Sequence, residues 1–428
     1  MKLAAEKFYF FLILCSVSGA ISRVFGGFHA PQAGGTSTTA FSGGDSDPVL
    51  FLFSAAIAAA TLFVAFGKAP SIVATLTRLP TLCALYGFAA ISILWSDDRT
   101  STVRGCTYLG LYLISAVCLS MRFDNEEIIR YVGNTIAILA FASIAGQFLL
   151  APTSDPAPGW TGVFPQKNDL GAVMAIGIAA LLVTRRQWTV LRVVSVVLCA
   201  VMLVLSQSFT SILAAAAVVA TIVFLRFNGH LRALFLTTVV GSGMILAVAL
   251  TDLSSVFTST TGKDLTFTGR TLIWDLVIKK IAEHPLLGYG YGAFWSTQSE
   301  TINQFSTWKP GQAHNGYLDI CLNLGGVGLL LTLALIIDGI RRAHNLRKFY
   351  RHNAGVWMLV VAVLLLGRDF AEASFLDLSI TWFVLLLTYL STWRTEVALC
   401  DATLEAVRRQ APQDLSTIPA NACWQLTS

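Results

Sequence analysis

Charge is scarce in this chain. Only 12% of its 428 residues are Asp, Glu, Lys or Arg, about half the share found in a soluble domain, and that excludes an ordinary water-soluble globule. A cysteine framework is missing too. Cys15, Cys83, Cys106, Cys118, Cys199, Cys321, Cys400 and Cys423 form no CxxC pair, and most sit in apolar runs. They read as small packing residues, not as disulfide or zinc ligands. The chain has no HExxH, no clustered Cys and His, no Walker A loop, and no DxD-like pair beyond Asp97-Asp98. An enzyme with this sequence is therefore expected to work without metal, nucleotide or other cofactor. No internal repeat and no basic linker divides the chain into two equal halves, which argues against a two-halves transporter.

Apolar residues fill the space left by charge. They make up 55% of the chain, with mean hydropathy +0.68, and apolar runs recur along its whole length. Runs of 18 or more such residues suffice to cross a bilayer of about 30 Å. The pattern predicts twelve spans: Phe8–Phe25, Val49–Phe66, Thr81–Trp95, Cys106–Met121, Ile128–Leu150, Leu170–Val183, Trp188–Leu205, Ser211–Leu225, Ala233–Leu250, Tyr317–Ile337, Val356–Leu366 and Phe375–Leu390. Lys2 and Lys7 before an apolar stretch resemble a signal peptide. The stretch continues past Arg23, however, and reads as an uncleaved first helix. With the N-terminus in the cytoplasm, most of the 29 Lys and Arg fall on the inner side. The positive-inside rule thus predicts two cytoplasmic termini, and it accounts for the net charge of +5 without nucleic acid. The fold class expected is an all-α polytopic membrane protein. Residues 1–250 hold spans one to nine, 251–316 a long outer loop, 317–393 the last three spans, and 394–428 a cytoplasmic tail.

The long outer loop carries most of the candidate chemistry, since loops of this length are usually functional. From Arg270 to Glu283, Leu272, Ile273, Trp274, Leu276, Val277, Ile278 and Ile281 cluster on one side, and Asp275, Lys279, Lys280 and Glu283 occupy most of the other. This predicts an amphipathic helix on the membrane surface or on the bundle, ended by His284-Pro285. Arg270 at its start would bind a phosphate or a lipid headgroup. His314 and Asn315 stand directly before a span. A histidine can take a proton from a hydroxyl, and Asn315 would orient the ring or cap the helix that follows. Arg368 and Glu372, four apart on one helical face between two spans, are expected to form an ion pair or to join the same site. Lys167 and Asn168 open another span, and Asp97, Asp98, Arg99 and Arg104 occupy a further outer turn. Together these groups predict a mostly cationic, outward-facing cavity suited to an anionic lipid-linked substrate. Lys167, Asn168, Arg368, Glu372, Trp274 and Tyr291 are the substrate-binding candidates, and His314, Asn315 and Arg270 the catalytic ones.

The stretch "TGRTLIWDLVIKKIAEHPLLGYGYGAF", followed by "HNGYLDICLNLGGVGLLL", resembles the core of the O-antigen ligase and Wzy-type polymerase superfamily, and most closely its ExoQ-like exopolysaccharide polymerases. "ILWSDD", "GVFPQKNDLG" and "LSQSFTSILA" are similar to weaker blocks of that family. The resemblance implies a bacterial inner-membrane glycosyltransferase with a GT-C-like arrangement and its active site facing the periplasm. Donor and acceptor would be glycans on undecaprenyl diphosphate, with a flippase and a chain-length regulator as pathway partners. It implies His314 as general base or acceptor-positioning residue and Arg270 as a diphosphate contact. The block around Phe209 departs from the family, which often has a basic residue there, so Lys167 or Arg368 becomes the candidate second cation. Besides polymerisation, two other readings stay open: a ligase that passes the glycan to a different acceptor, and a transporter or flippase of polysaccharide precursors.

Overall fold

The computed structural model describes residues 2–26, 48–150, 159–184, 187–226, 270–297 and 311–410. All regular structure among the described residues is helical. The helices are α1 (Lys2–Val17), α2 (Ala20–Gly26), α3 (Pro48–Phe66), α4 (Ala69–Leu76), α5 (Pro80–Ile91), α6 (Arg99–Arg122), α7 (Asn125–Leu149), α8 (Lys167–Val183), α9 (Val190–Leu205), α10 (Phe209–Arg226), α11 (Arg270–Glu283), the single turn α12 (Phe294–Thr297), α13 (Gly316–Tyr350), α14 (Asn353–Arg368) and α15 (Ile380–Gln410). The predicted span Ala233–Leu250, the first outer loop and the tail past Gln410 lie outside the described residues.

The chain is a multi-pass membrane protein. Helices α6, α7, α10 and α13 are long and apolar enough to cross a membrane, and α3 with α4 adds a fifth if that pair, bent by 87°, is one span. Helices α9 and α14, and α5 with the 3-10 turn after it, are shorter apolar elements. Helix α8 is buried on every side from Leu170 to Leu181, and α15 is buried from Ile380 to Trp393. A helix that is apolar all round belongs in the centre of a bundle, and α8 packs against α7, α9, α10 and α14.

Several expected spans differ from the helices. The first breaks between Val17 and Ala20, where Gly19 adopts φ +77°. The last starts at Ile380, not Phe375, because residues 369–379 form a turn, and it runs on through the predicted tail to Gln410. The tenth runs to Tyr350 and is interrupted at Gly325. Gly325 takes φ +65°, and a Cβ there would lie 2.2 Å from the Leu286 carbonyl. The loop that follows α11 fills this break. Tyr289 and Gly290 donate their N–H groups to the carbonyls of Leu322 and Asn323, at 2.9 Å each, while Gly326 donates to the Pro285 carbonyl at 2.8 Å. Non-helical backbone at membrane depth persists only where protein satisfies its polar groups, and "HPLLGYG" does that here.

Helix α11 has the bounds that the amphipathic pattern predicts, and it lies on the bundle against α13. Ile273 and Val277 are fully buried in a small cluster with Tyr289, Phe294, Ala313 and Leu322, separate from the main core. A polar network between α13 and α15 lies far along both helices from this cluster. Arg342 bonds Asp338 at 2.7 Å and Glu396 at 2.8 Å, and Tyr389 donates to Asp338 at 2.8 Å.

Candidate functional site

The sequence His314-Asn315-Gly316 welds the start of α13 to the turn after α14. Asn315 is the N-cap of α13, its Oδ1 accepting from the N–H groups of Tyr317 and Leu318 at 3.1 Å each. Two orphan donors at the helix start are satisfied in this way. The Asn315 amide also donates to the Phe370 carbonyl at 3.2 Å. Of the two roles expected for Asn315, capping is the one its contacts show. Gly316 donates its N–H to the carbonyls of Asp369 at 2.8 Å and Glu372 at 2.9 Å. A Cβ on Gly316 would fall 1.8 Å from the Asp369 carboxylate, so only glycine lets the two segments meet. Tyr317 then packs its ring between Phe370 and Phe375, with centroids 4.9 Å from each.

His314 lies between these anchors in the left-handed region, at φ +48°. A non-glycine residue pays on the order of 1 kcal/mol to sit there, and such strain concentrates at functional positions. Its Nδ1 faces Glu372 Oε2 at 3.4 Å. The other oxygen of Glu372 accepts from the Asn168 side chain at 2.7 Å. The ring is 14% exposed and the carboxylate 4%. Three candidates read separately from the sequence thus meet in a chain of contacts: Asn168 from the start of α8, Glu372 from the turn, and His314 from the approach to α13. A carboxylate on Nδ1 fixes the ring's tautomer and supports the proton that the ring accepts. The separation is at the long end for a hydrogen bond, as is common before substrate tightens a site.

Glu372 is not on a helical face with Arg368, since α14 ends at Arg368 and the chain turns. Arg368 is buried, and its guanidinium donates to the Ser374 hydroxyl. Both residues line one cavity with Asp169, Gln312 and Asp377. Among the described residues that line it, three carboxylates surround one guanidinium. Burial pushes the Asp377 carboxyl up to about 6 and raises that of Asp369 well above the usual carboxylate range, although Asp369 accepts two backbone N–H bonds.

The other candidates fall around this centre. Lys167 opens α8 beside Asn168 and is half-buried. Tyr291 is buried, with its hydroxyl committed to the Leu376 carbonyl at 2.7 Å, so it joins loops instead of facing an open pocket. Asp98 caps α6 and also accepts from Ser296, while Arg99 and Arg104 are exposed. Arg270 begins α11, but its side chain lies outside the described residues. Trp274, one turn further along the same face, donates its indole N–H to the Ala313 carbonyl at 2.9 Å. Asp319, Asp369 and Asp377 were not singled out in the sequence. Each stands alone in an apolar or mixed stretch, and only the fold brings them to the site.

The domain profile described as O-antigen ligase, Wzy_C, matches residues 194–333. That stretch includes Arg270, Trp274, His314 and Asn315, whereas Asn168, Arg368 and Glu372 fall outside it. The exopolysaccharide production protein ExoQ of Rhizobium meliloti is 29% identical over 311 residues, covering 68% of this chain and 71% of that protein. A Rickettsia felis protein carrying a polysaccharide-ligase name is 28% identical over 132 residues, 23% of this chain and 32% of that one. A Rickettsia conorii protein with a similar name is 29% identical over the same length, again with 32% of it covered.

Proposed function

The chain belongs to the O-antigen ligase/ExoQ-like superfamily, and on that premise we propose that it polymerises oligosaccharide repeat units carried on undecaprenyl diphosphate, at the periplasmic face of a bacterial inner membrane. The single observation behind this reading is the His314–Glu372–Asn168 relay. The acceptor hydroxyl gives its proton to Nε2 of His314 while Glu372 holds the proton on Nδ1. The hydroxyl oxygen bonds the anomeric carbon of the donor, and the bond from that carbon to the diphosphate oxygen breaks. The diphosphate leaves with the electron pair, its charge met by Arg270 at the start of α11. Base catalysis of this kind contributes about 10²- to 10⁴-fold, and charge neutralisation at the leaving group supplies the larger share. Direct displacement inverts the anomeric centre.

Purified protein incubated with a lipid-linked repeat unit is expected to yield a ladder of longer products. His314→Ala and Arg270→Ala are each expected to yield none while still inserting in the membrane. A His314→Ala protein that makes chains of normal length would end this reading. The similarity to the two Rickettsia proteins with ligase names favours a second reading, transfer to a different acceptor. In that case cells lacking the protein would retain long lipid-linked polymer that never reaches its final acceptor.

A further inference from the structure

The peptide groups flanking His314 are held from both sides. On the N-terminal side, the Ala313 N–H donates to Asp319 Oδ1 at 2.9 Å. That same oxygen accepts the Trp295 indole N–H at 2.9 Å. The Ala313 carbonyl accepts the Trp274 indole N–H at 2.9 Å, from 39 residues earlier in the chain. Ala313 itself is fully buried. On the C-terminal side, the Gly316 N–H is fixed by the carbonyls of Asp369 and Glu372. Between these fixed peptides, His314 has little freedom left in φ and ψ, and it sits in the left-handed region that a free histidine avoids.

Taking His314 as the base, as the proposed function does, we infer that Asp319 and Trp274 are its positioning residues: together they clamp the Ala313 peptides and hold the imidazole against Glu372. Neither side chain need touch substrate. Trp274 lies on α11 and Asp319 on α13, so the clamp also ties α11, which begins at Arg270, to the backbone of the base. Without it, His314 can relax toward ordinary backbone angles and swing the ring away from Glu372. The fold has other supports at this point, because Asn315 still caps α13 and Gly316 still docks on the turn.

The test is steady-state kinetics of the full-length protein with a lipid-linked repeat unit, comparing wild type, Asp319→Ala, Asp319→Asn, Trp274→Phe and His314→Ala. A displacement of about 1 Å at a reacting group costs up to about 100-fold. Asp319→Ala and Trp274→Phe are expected to lower kcat about 10- to 100-fold with KM held within about threefold. Asp319→Asn keeps an oxygen for the Ala313 N–H and is expected to restore most of kcat. Unchanged kcat in both Asp319→Ala and Trp274→Phe, or a rise in KM alone, overturns the inference. If Asp319→Ala does not fold, Trp274→Phe, which keeps an aromatic ring and removes the N–H donor, decides by the same criteria. A His314→Ala protein of normal activity would defeat the reading of the base itself, an outcome separate from failure of the clamp.

Discussion

Glu372→Gln is the most informative single change. The carboxylate is buried, and both oxygens are engaged, one by Asn168 at 2.7 Å and one by the His314 ring at 3.4 Å. Glutamine keeps the shape but has one oxygen and one NH2. The Asn168 amide donates, so the glutamine oxygen is drawn to that side and the NH2 is left facing Nδ1. A donor there selects the tautomer with hydrogen on Nε2, where the base needs its lone pair. The substitution therefore removes the base without removing the residue. The loss expected is the full contribution of general-base catalysis, about 10²- to 10⁴-fold in kcat, or about 3–5 kcal/mol of barrier at 1.36 kcal/mol per decade. Single-turnover extension of a lipid-linked repeat unit at saturating donor measures it directly. Folding is expected to suffer little, because an amide is cheaper to bury than a carboxylate, and a thermal melt in detergent checks this. A Glu372→Gln protein that is well folded and within about threefold of wild-type kcat would refute the tautomer argument and with it the His–Glu pair.

Three further outcomes follow from the same geometry. Gly316→Ala places a Cβ 1.8 Å from the Asp369 carboxylate, so it is expected to cost about 1–3 kcal/mol of stability, read as a lower melting temperature, and to abolish product. Burial pushes the Asp377 carboxyl up from the ordinary carboxylate range to about 6. The folded state then binds more protons than the unfolded between about pH 4 and 6, so stability falls as pH rises through that window, by up to about 3 kcal/mol. Asp377→Asn is expected to flatten the melting curve across that window and to raise the melting temperature at pH 7. Glu396→Ala removes one partner of the buried Arg342. Asp338 still pairs with Arg342, so a loss of about 1–3 kcal/mol is expected, seen as a lower yield of inserted protein, with unchanged activity per folded molecule because this network is remote from His314.

The helical class and the bounds of α11 were legible because both depend on local periodicity. Arg270 to Glu283 presents an apolar face at helical spacing, and α11 occupies those residues. The breaks at Gly19 and Gly325 were not legible. Hydropathy reports how apolar a stretch is, but not where another segment arrives to take its backbone hydrogen bonds. The run from Tyr317 reads as continuous, yet Leu322 and Asn323 give their carbonyls to Tyr289 and Gly290, which stand more than thirty positions earlier in the chain. The same limit applies to the site. His314, Asn168 and Glu372 were each visible as polar groups at the edge of a span. That Glu372 faces His314 across 58 positions, and not Arg368 four positions away, depends on where α14 stops.

The charge around His314 divides the proposed substrate. A diphosphate placed in the cavity would meet Asp169, Glu372 and Asp377 around a single guanidinium already bonded to Ser374. Carboxylates gathered around one committed guanidinium set the cavity against an anion and in favour of hydroxyl groups that hydrogen-bond to carboxyl oxygens. We propose that the leaving group is met instead by Arg270, at the start of α11 and one turn before Trp274, whose indole holds the Ala313 carbonyl. The acceptor hydroxyl that His314 deprotonates is placed at Nε2, the ring nitrogen turned away from Glu372. Under this division, Arg270→Ala abolishes donor use, whereas Gln312→Ala, in the cavity wall, raises the KM for acceptor and leaves the KM for donor unchanged. An acceptor KM unaffected by Gln312→Ala, with the donor KM raised instead, would reverse the assignment of the two sides.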